Sequence, residues 1–271
     1  MGWWGKIIGG AFGFLVGGPI TGLLGVVLGH GFDKGLEQVS KGALHWPPFT
    51  DQAQTQTAFF TATFSVMGHL AKSDGRVTRD ELGVATDLMR QMHLGPEQIR
   101  VAQKLFNEGK AADFPLDAVL EQFRRRCHGN YNLTRLFVEI QLYAALADGA
   151  MHPHERRLLV YVCRQLGIGQ REFQDLEAMI EAELRFRRAG AAREETPASK
   201  VDGLADAYAL LNVSPQVSDA ELKRAFRRLI SQHHPDKLVA SGLPEEMMKL
   251  ATQKTQEIKL AYERIKKARG L

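Results

Sequence analysis

The distribution of apolar and charged positions divides the chain into three parts. From Ile7 to Gly29 there are 23 consecutive residues without a charged side chain. From Asp51 to about Arg187, and again from residue 204 to the C-terminus, apolar residues recur at three- and four-residue steps, which places them on one face of a helix. Strand-like alternation is scarce. We therefore predict an all-α protein, with about seven helices in its middle part.

The uncharged stretch is long enough for a membrane-spanning helix. At about 1.5 Å per residue a helix of this length reaches roughly 34 Å, and the hydrocarbon core of a bilayer is about 30 Å thick. A cleaved signal peptide would have a shorter apolar region of about 7–15 residues before its cleavage site. Here the stretch continues into Asp33 and Lys34. We predict a retained anchor over about 7–29 within an N-terminal segment 1–32, followed by a linker over 33–50.

Glycines recur every fourth residue in the predicted anchor. Glycines four residues apart line one helix face and let a second helix approach closely, so they predict a homodimer formed in the membrane. The alternative is that glycine is simply more frequent in membrane helices than in soluble ones. The predicted dimer face consists of Gly9, Gly13, Gly17, Gly18, Gly22, Gly25 and Gly29.

Positive charge is concentrated at the C-terminal end. The chain has 35 Lys and Arg against 31 Asp and Glu, of which residues 204–271 hold 12 against 8, so the rest of the chain balances at 23 of each. The excess of positive charge in residues 204–271 predicts that this part of the chain binds an acidic partner surface. Cys127 and Cys163 stand alone, which excludes a disulfide framework and a Cys-x-x-Cys site. No phosphate-binding, dinucleotide-binding or Gly-x-Ser-x-Gly pattern occurs, so we predict neither an enzyme nor a cofactor.

Two turns in the middle part follow the same pattern 74 residues apart. Each begins with Asp-Gly and has a glutamate seven positions after the aspartate, from Asp74 to Glu81 and from Asp148 to Glu155. On these turns, residues 51–187 resemble the TerB-like family, which implies a helical bundle. The four carboxylates could bind a divalent cation. Helix capping is the favoured alternative, because Glu81 can pair with Thr78 in a capping box and Glu155 stands third in a helix that begins at Pro153.

Residues 188–203 are small and polar and lack apolar periodicity, which predicts a flexible tether. The segment after it predicts a short helix, then a second helix that begins at the capping box from Ser218 to Glu221, and a third helix that follows Pro244. The outward face of the second helix presents Lys223, Arg224, Arg227 and Arg228. The loop between the last two helices holds His234, Pro235 and Asp236.

Residues 204–271 resemble the J domain of the DnaJ family. The resemblance rests on Asp206-Ala207-Tyr208, Phe226-Arg227-Arg228-Leu229, His234-Pro235-Asp236-Lys237 and Ala261-Tyr262. It implies that His234, Pro235 and Asp236 activate a DnaK-type chaperone and that the four basic residues dock on it. Proline fixes its own φ and restricts the residue before it, so the tripeptide should be a rigid polar patch. Nucleic-acid binding is disfavoured, because the basic helix lacks interleaved aromatic residues.

The anchor, the TerB-like middle and the J domain together resemble the membrane-anchored J proteins of bacteria. This resemblance implies a single-pass protein of the inner membrane, with its short N-terminus outside the cytoplasm and its C-terminal body inside. Lys34 and Lys41 against Lys6 agree weakly with that orientation. The alternative is a membrane-bound sensor or scaffold in which the TerB-like domain binds a metal or a partner and the J domain is its effector.

Overall fold

The computed structural model describes residues 51–73, 86, 89–90, 92, 94–127, 129–147, 149, 151–191 and 197–271. All regular secondary structure in these ranges is helical, as the apolar spacing predicts. The predicted anchor, its glycine face and the linker over 33–50 lie outside the described residues. Within the described ranges, no helix combines the length and the apolar character that crossing a bilayer requires.

The central domain is a bundle of helices around α1. Its described helices are α1 (Asp51–Ala71), α2 (Pro96–Gly109), α3 (Leu116–Arg126), α4 (Tyr131–Leu146), α5 (Pro153–Gln165) and α6 (Gln170–Ala191). α1 packs against α2, α3, α4 and α5. In the core, the ring of Phe59 from α1 packs against the rings of Phe123 and Phe137, with centroids 6.1 and 6.4 Å away. The centroids of Phe123 and Phe137 are 4.5 Å apart. Aromatic pairs at these separations stabilise a core beyond the area that they bury.

The close contact between α1 and α2 depends on two glycines. A Cβ atom placed on Gly68 of α1 would lie 1.9 Å from the carbonyl oxygen of Phe106 in α2. Reciprocally, a Cβ atom on Gly109 of α2 would lie 1.9 Å from the carbonyl oxygen of Ser65 in α1. The two backbones therefore touch directly, which permits Cα–H···O contacts and excludes every larger residue at both positions.

The C-terminal domain is a helical hairpin with supporting elements. It consists of α7 (Pro197–Leu210), α8 (Asp219–Gln232), α9 (Pro235–Ala240), a 3-10 helix (Glu245–Met247) and α10 (Met248–Arg269). α10 packs against α7, α8 and α9. Near the end of α10, Arg269 donates hydrogen bonds to the hydroxyl of Tyr208 and to the carboxylate of Asp219, at 2.8 and 2.7 Å. The side chain of Arg269 therefore links α10 to both α7 and α8 through hydrogen bonds.

Helices occupy most of the segment from which the sequence predicts a flexible tether. Residues 188–191 continue α6 and residues 197–203 begin α7, whereas 192–196 lie outside the described residues. The segment is rich in Ala, Arg and Glu, which are good helix formers, and Pro197 suits the first position of a helix. α7 also packs along α6, so tertiary contact supports the helical conformation.

Candidate functional site

The predicted tripeptide opens a short helix instead of lying in an open loop. His234 is the N-cap residue of α9, with φ −63° and ψ 123°, and Pro235 is the first helical residue. Proline suits that position because its missing N–H needs no partner there and its φ is already helical. Proline also disfavours the α conformation in the residue before it, which accounts for the extended backbone of His234.

His234 and Asp236 form an accessible polar patch at this helix start. Their side chains are 44% and 87% exposed, and Nδ1 of His234 lies 4.0 Å from a carboxylate oxygen of Asp236. Nδ1 is shielded from solvent and makes no hydrogen bond within the described part of the chain. The groups that a partner can reach are therefore the exposed remainder of the imidazole and the exposed carboxylate of Asp236.

The four predicted basic residues extend along the exposed face of the neighbouring helix α8. The predicted capping box at its start is confirmed: Glu221 N–H donates to the Ser218 hydroxyl at 3.3 Å, and Ser218 N–H donates to the Glu221 carboxylate at 3.1 Å. Leu222, Ala225 and Leu229 are buried against the domain. The exposed face carries Lys223, Arg224, Arg227 and Arg228, none of which forms an ion pair with another described residue.

The residue before the tripeptide is held by the central domain. His233 is buried, and its Nε2 atom lies 3.0 and 3.2 Å from the two carboxylate oxygens of Glu139 in α4. Its Nδ1 atom lies 3.0 Å from the carbonyl oxygen of Leu229. Both ring nitrogens face oxygen acceptors, so both contacts are hydrogen bonds only when each nitrogen carries a proton.

A buried lysine of the C-terminal domain also contacts Glu139. Lys254 of α10 lies 3.2 Å from Glu139 and 2.6 Å from Glu183 of α6, and all three side chains are at most 8% exposed. Burial alone would raise the pKa of Glu139, but His233, Lys254 and Arg135 outweigh it and hold that pKa well below its ordinary value. Burial alone would likewise lower the pKa of Lys254, but Glu139 and Glu183 raise it.

Glu257 of α10 lies at the edge of the same cluster and behaves differently. Burial and the facing carboxylate of Glu183 raise its pKa to about 8. Arg187 of α6 opposes this shift, since its Nε atom lies 3.3 Å from a carboxylate oxygen of Glu257, but it is too weak to cancel the shift. Glu257 therefore keeps its proton at neutral pH and can donate a hydrogen bond towards Glu183.

Raising the pH through about 8 is expected to weaken the contact between the two domains. Between the ordinary value of 4.5 and this raised pKa, the folded protein binds a proton that the unfolded chain has lost. The free energy of unfolding therefore falls as pH rises through that window, by at most ~1.4 kcal/mol per pH unit. Thermal unfolding of the wild type and of Glu257→Gln between about pH 6 and pH 9 measures this effect. The substitution should flatten the pH dependence, and an equal slope in both proteins would contradict the assignment.

Of the four carboxylates that the sequence offers as metal ligands, Glu155 is the one that the structure describes. Glu155 accepts a hydrogen bond from the N–H of His152 at 2.9 Å and belongs to the predicted helix cap. Asp74, Glu81 and Asp148 lie outside the described residues. No group of three metal-ligating side chains occurs within the described ranges. Cys127 and Cys163 are free and buried, and burial raises the pKa of each thiol to about 12, which makes both poor nucleophiles.

The helical hairpin and its His-Pro-Asp motif define a J-domain protein. The family model of the DnaJ domain matches residues 206–269. A second model, of the tellurite resistance protein TerB, matches residues 60–178, and a third, of the co-chaperone DjlA transmembrane domain, matches residues 1–39. The chain thus combines the three regions that the sequence predicts, in the predicted order.

Relatives named Co-chaperone protein DjlA match along the whole chain. The relative from Photobacterium profundum is 44% identical over 274 residues, which cover 98% of this chain and 99% of the relative. The relative from Escherichia coli is 43% identical over 277 residues, which cover 100% of this chain and 99% of the relative. The chain therefore belongs to the DjlA family of membrane-anchored co-chaperones, which are regulators and not enzymes. No solved structure matches the chain significantly.

Proposed function

We propose that the chain stimulates the ATPase of a cytosolic DnaK-type chaperone through His234, Pro235 and Asp236. The observation that carries this proposal is the exposed patch of His234 and Asp236 at the rigid start of α9, beside the basic face of α8. A J domain supplies no hydrolytic group of its own. It must therefore act by contacts that are more favourable in one conformation of the chaperone than in another.

The basic face of α8 supports the docking step of this proposal. Lys223, Arg224, Arg227 and Arg228 are all exposed, so they can meet an acidic surface without first breaking ion pairs among the described residues. Complementary charge of this kind mainly accelerates association and is screened by salt. We propose that the basic face accelerates binding to the chaperone and orients the J domain on it. The tripeptide then favours one conformation of the chaperone over another.

Asp236→Asn is expected to abolish stimulation without disturbing the fold. Asp236 is 87% exposed, so exchanging its carboxylate for an amide removes a charge from the patch at little structural cost. The measurement is steady-state ATP hydrolysis by a purified DnaK-type chaperone, with the full chain in lipid nanodiscs. Asp175→Asn is the matched control, because Asp175 is also exposed but lies on α6 of the central domain. Equal stimulation by the wild type and both variants would refute the proposal.

We infer that the anchor places this activity at the bacterial inner membrane. The transmembrane family match over residues 1–39 supports the anchor. The cytosolic location of DnaK-type chaperones favours an orientation with residues 51–271 in the cytoplasm. A protease added to intact spheroplasts should therefore leave the C-terminal body uncut, and its digestion would reverse the orientation.

A homodimer through the anchor is a further part of the proposal. It is supported by the glycine face Gly9, Gly13, Gly17, Gly18, Gly22, Gly25 and Gly29, because small residues at this spacing let two helices pack closely. Gly13→Leu should reduce self-association of the full chain in a bilayer by about tenfold, since the added side chain separates the helices. Förster transfer between labelled copies measures this. Leu23→Phe, which enlarges a residue with no member of the glycine face three or four positions away, is the control, and equal transfer in the two variants would contradict the dimer.

A further inference from the structure

The two domains touch on both sides of the activating tripeptide. On the C-terminal side, the chain after α9 lies against the first turns of α1. Gly242 has φ +107°, and a Cβ atom added there would lie 2.4 Å from the Cγ2 atom of Thr55 in α1. On the N-terminal side, His233 is bound to Glu139 of α4. The tripeptide itself thus lies between two points of attachment to the central domain.

Hydrogen bonds from side chains of the central domain to backbone carbonyl oxygens strengthen the contact after α9. The Asn130 side chain of the central domain donates to the carbonyl oxygen of Ser241 at 3.1 Å. The side chains of Gln52 and Gln56 in α1 donate more weakly to the carbonyl oxygens of Val239 and Leu243, at 3.4 and 3.5 Å. Backbone groups that are paired in this way cannot shift without losing their partners. The contact therefore restrains the course of the chain from residue 239 to 243.

The buried charges explain why the contact is specific. Glu139 and Glu183 belong to the central domain, whereas the J domain provides the Lys254 ammonium between them and the His233 ring beside Glu139. A buried carboxylate without a partner costs several kcal/mol, so this surface of α4 and α6 is unfavourable unless a cationic surface covers it. Arg135 binds Glu139 from within α4 at 3.0 Å, but no described cation of the central domain forms an ion pair with Glu183.

We propose that the central domain is the docking platform of the J domain, and that Glu139 is a positioning residue which holds His234, Pro235 and Asp236 through His233. This inference rests on the proposed function, and it gives the TerB-like domain a role in presenting the tripeptide. The platform leaves the chaperone-facing surface open, since Asp236 and the basic face of α8 remain exposed. The central domain therefore orients the J domain without covering its active surface.

The consequence for activity follows from the fraction of molecules in the competent arrangement. When that fraction falls, the apparent dissociation constant rises by the same factor, whereas the rate at saturation does not change. Loss of the Glu139 contact should therefore raise the concentration that gives half-maximal stimulation and leave the maximal rate intact. A residue needed only for folding would also raise that concentration, but its loss would accelerate hydrogen exchange throughout the chain and not at residues 233–243 alone.

Glu139→Gln in the full chain in nanodiscs tests the proposal. Hydrogen exchange at residues 233–243, measured without chaperone, should become about tenfold faster, and half-maximal stimulation of a purified DnaK-type chaperone should need about tenfold more protein. Glu177→Gln is the matched control, because Glu177 also lies in the central domain and pairs with Arg156, away from the J domain. Exchange and half-maximal concentration equal to those of Glu177→Gln would overturn the proposal.

A second variant tests whether the effects come from the lost contact or from misfolding. His233→Leu removes the same contact from the J domain, because leucine has no hydrogen-bond donor, and it should reproduce both effects with helical content and cooperative unfolding retained. Faster exchange without a change in the half-maximal concentration would overturn the role of Glu139 in positioning. If the wild type failed to stimulate the chaperone, the proposed function would fail instead, whereas the exchange measurement would still report whether Glu139 holds residues 233–243.

Discussion

Lys254→Met is expected to lower the free energy of unfolding by about 3–5 kcal/mol, which is the usual cost of removing one partner from a buried ion pair. Methionine has a similar volume, so the loss comes from charge and not from a cavity. It leaves Glu183 without its described cationic partner and leaves Glu139 with only Arg135 and His233. Urea unfolding of the detergent-solubilised full chain, followed by circular dichroism, measures the change.

Lys259→Met provides the comparison for this substitution. Lys259 lies on the same helix α10 but is exposed, and surface substitutions usually change stability by less than about 0.5 kcal/mol. A similar loss in both variants, or no loss in Lys254→Met, would show that the cluster around Glu139 does not stabilise the folded protein.

Gly68→Ala is expected to destabilise the central domain by about 3 kcal/mol, at the upper end of the cost of overpacking a core. The added Cβ atom would lie 1.9 Å from the carbonyl oxygen of Phe106, and backbone cannot rotate aside as a side chain can. α1 and α2 must therefore separate, which weakens the packing of both. Calorimetry of the full chain should show a lower unfolding temperature.

Gly169→Ala serves as the control for the glycine substitution. Gly169 has no neighbouring atom within 4 Å of an added Cβ and does not need a positive φ. We expect it to cost less than about 1 kcal/mol, mainly through its place before the first residue of α6. If Gly68→Ala were no more destabilising than Gly169→Ala, the close approach of α1 and α2 would not be essential.

Local chemistry made the helix starts predictable from sequence. The cap from Ser218 to Glu221 and the proline start at Pro153 depend on residues within one turn, and the structure confirms both. The apolar face of α8 followed from its periodicity, because helical spacing fixes which side chains share a face. The predicted loop around Pro235 proved to contain a short helix, which proline at its first position favours.

The contacts of Glu139 with His233 and Lys254 could not be predicted from the sequence, because these residues are far apart along the chain. Glu139 and His233 are 94 residues apart, and nothing local links them. One signal was available: Glu139 lies directly between the apolar residues Val138 and Ile140, where an unpaired charge would be costly. Such a position indicates a buried carboxylate, but only the tertiary structure identifies its partners.

The extent of helix between the domains also depended on tertiary contact. Residues 188–203 lack apolar periodicity, and composition alone indicated a tether. Their helix-forming residues continue α6 and begin α7 because α7 packs along α6 and α10 packs along α7. Intrinsic propensity is a weak guide that packing routinely overrides, so the sequence could not decide between the two conformations.

The role of His234 is tested most directly by a single-turnover measurement of ATP hydrolysis by a purified DnaK-type chaperone mixed with the full chain in nanodiscs. The wild type should accelerate the bound-nucleotide turnover, and His234→Gln should leave it at the unstimulated rate. His154→Gln, at an exposed position of the central domain, should match the wild type. Acceleration by His234→Gln equal to that of the wild type would contradict the assignment of the tripeptide as the activating site.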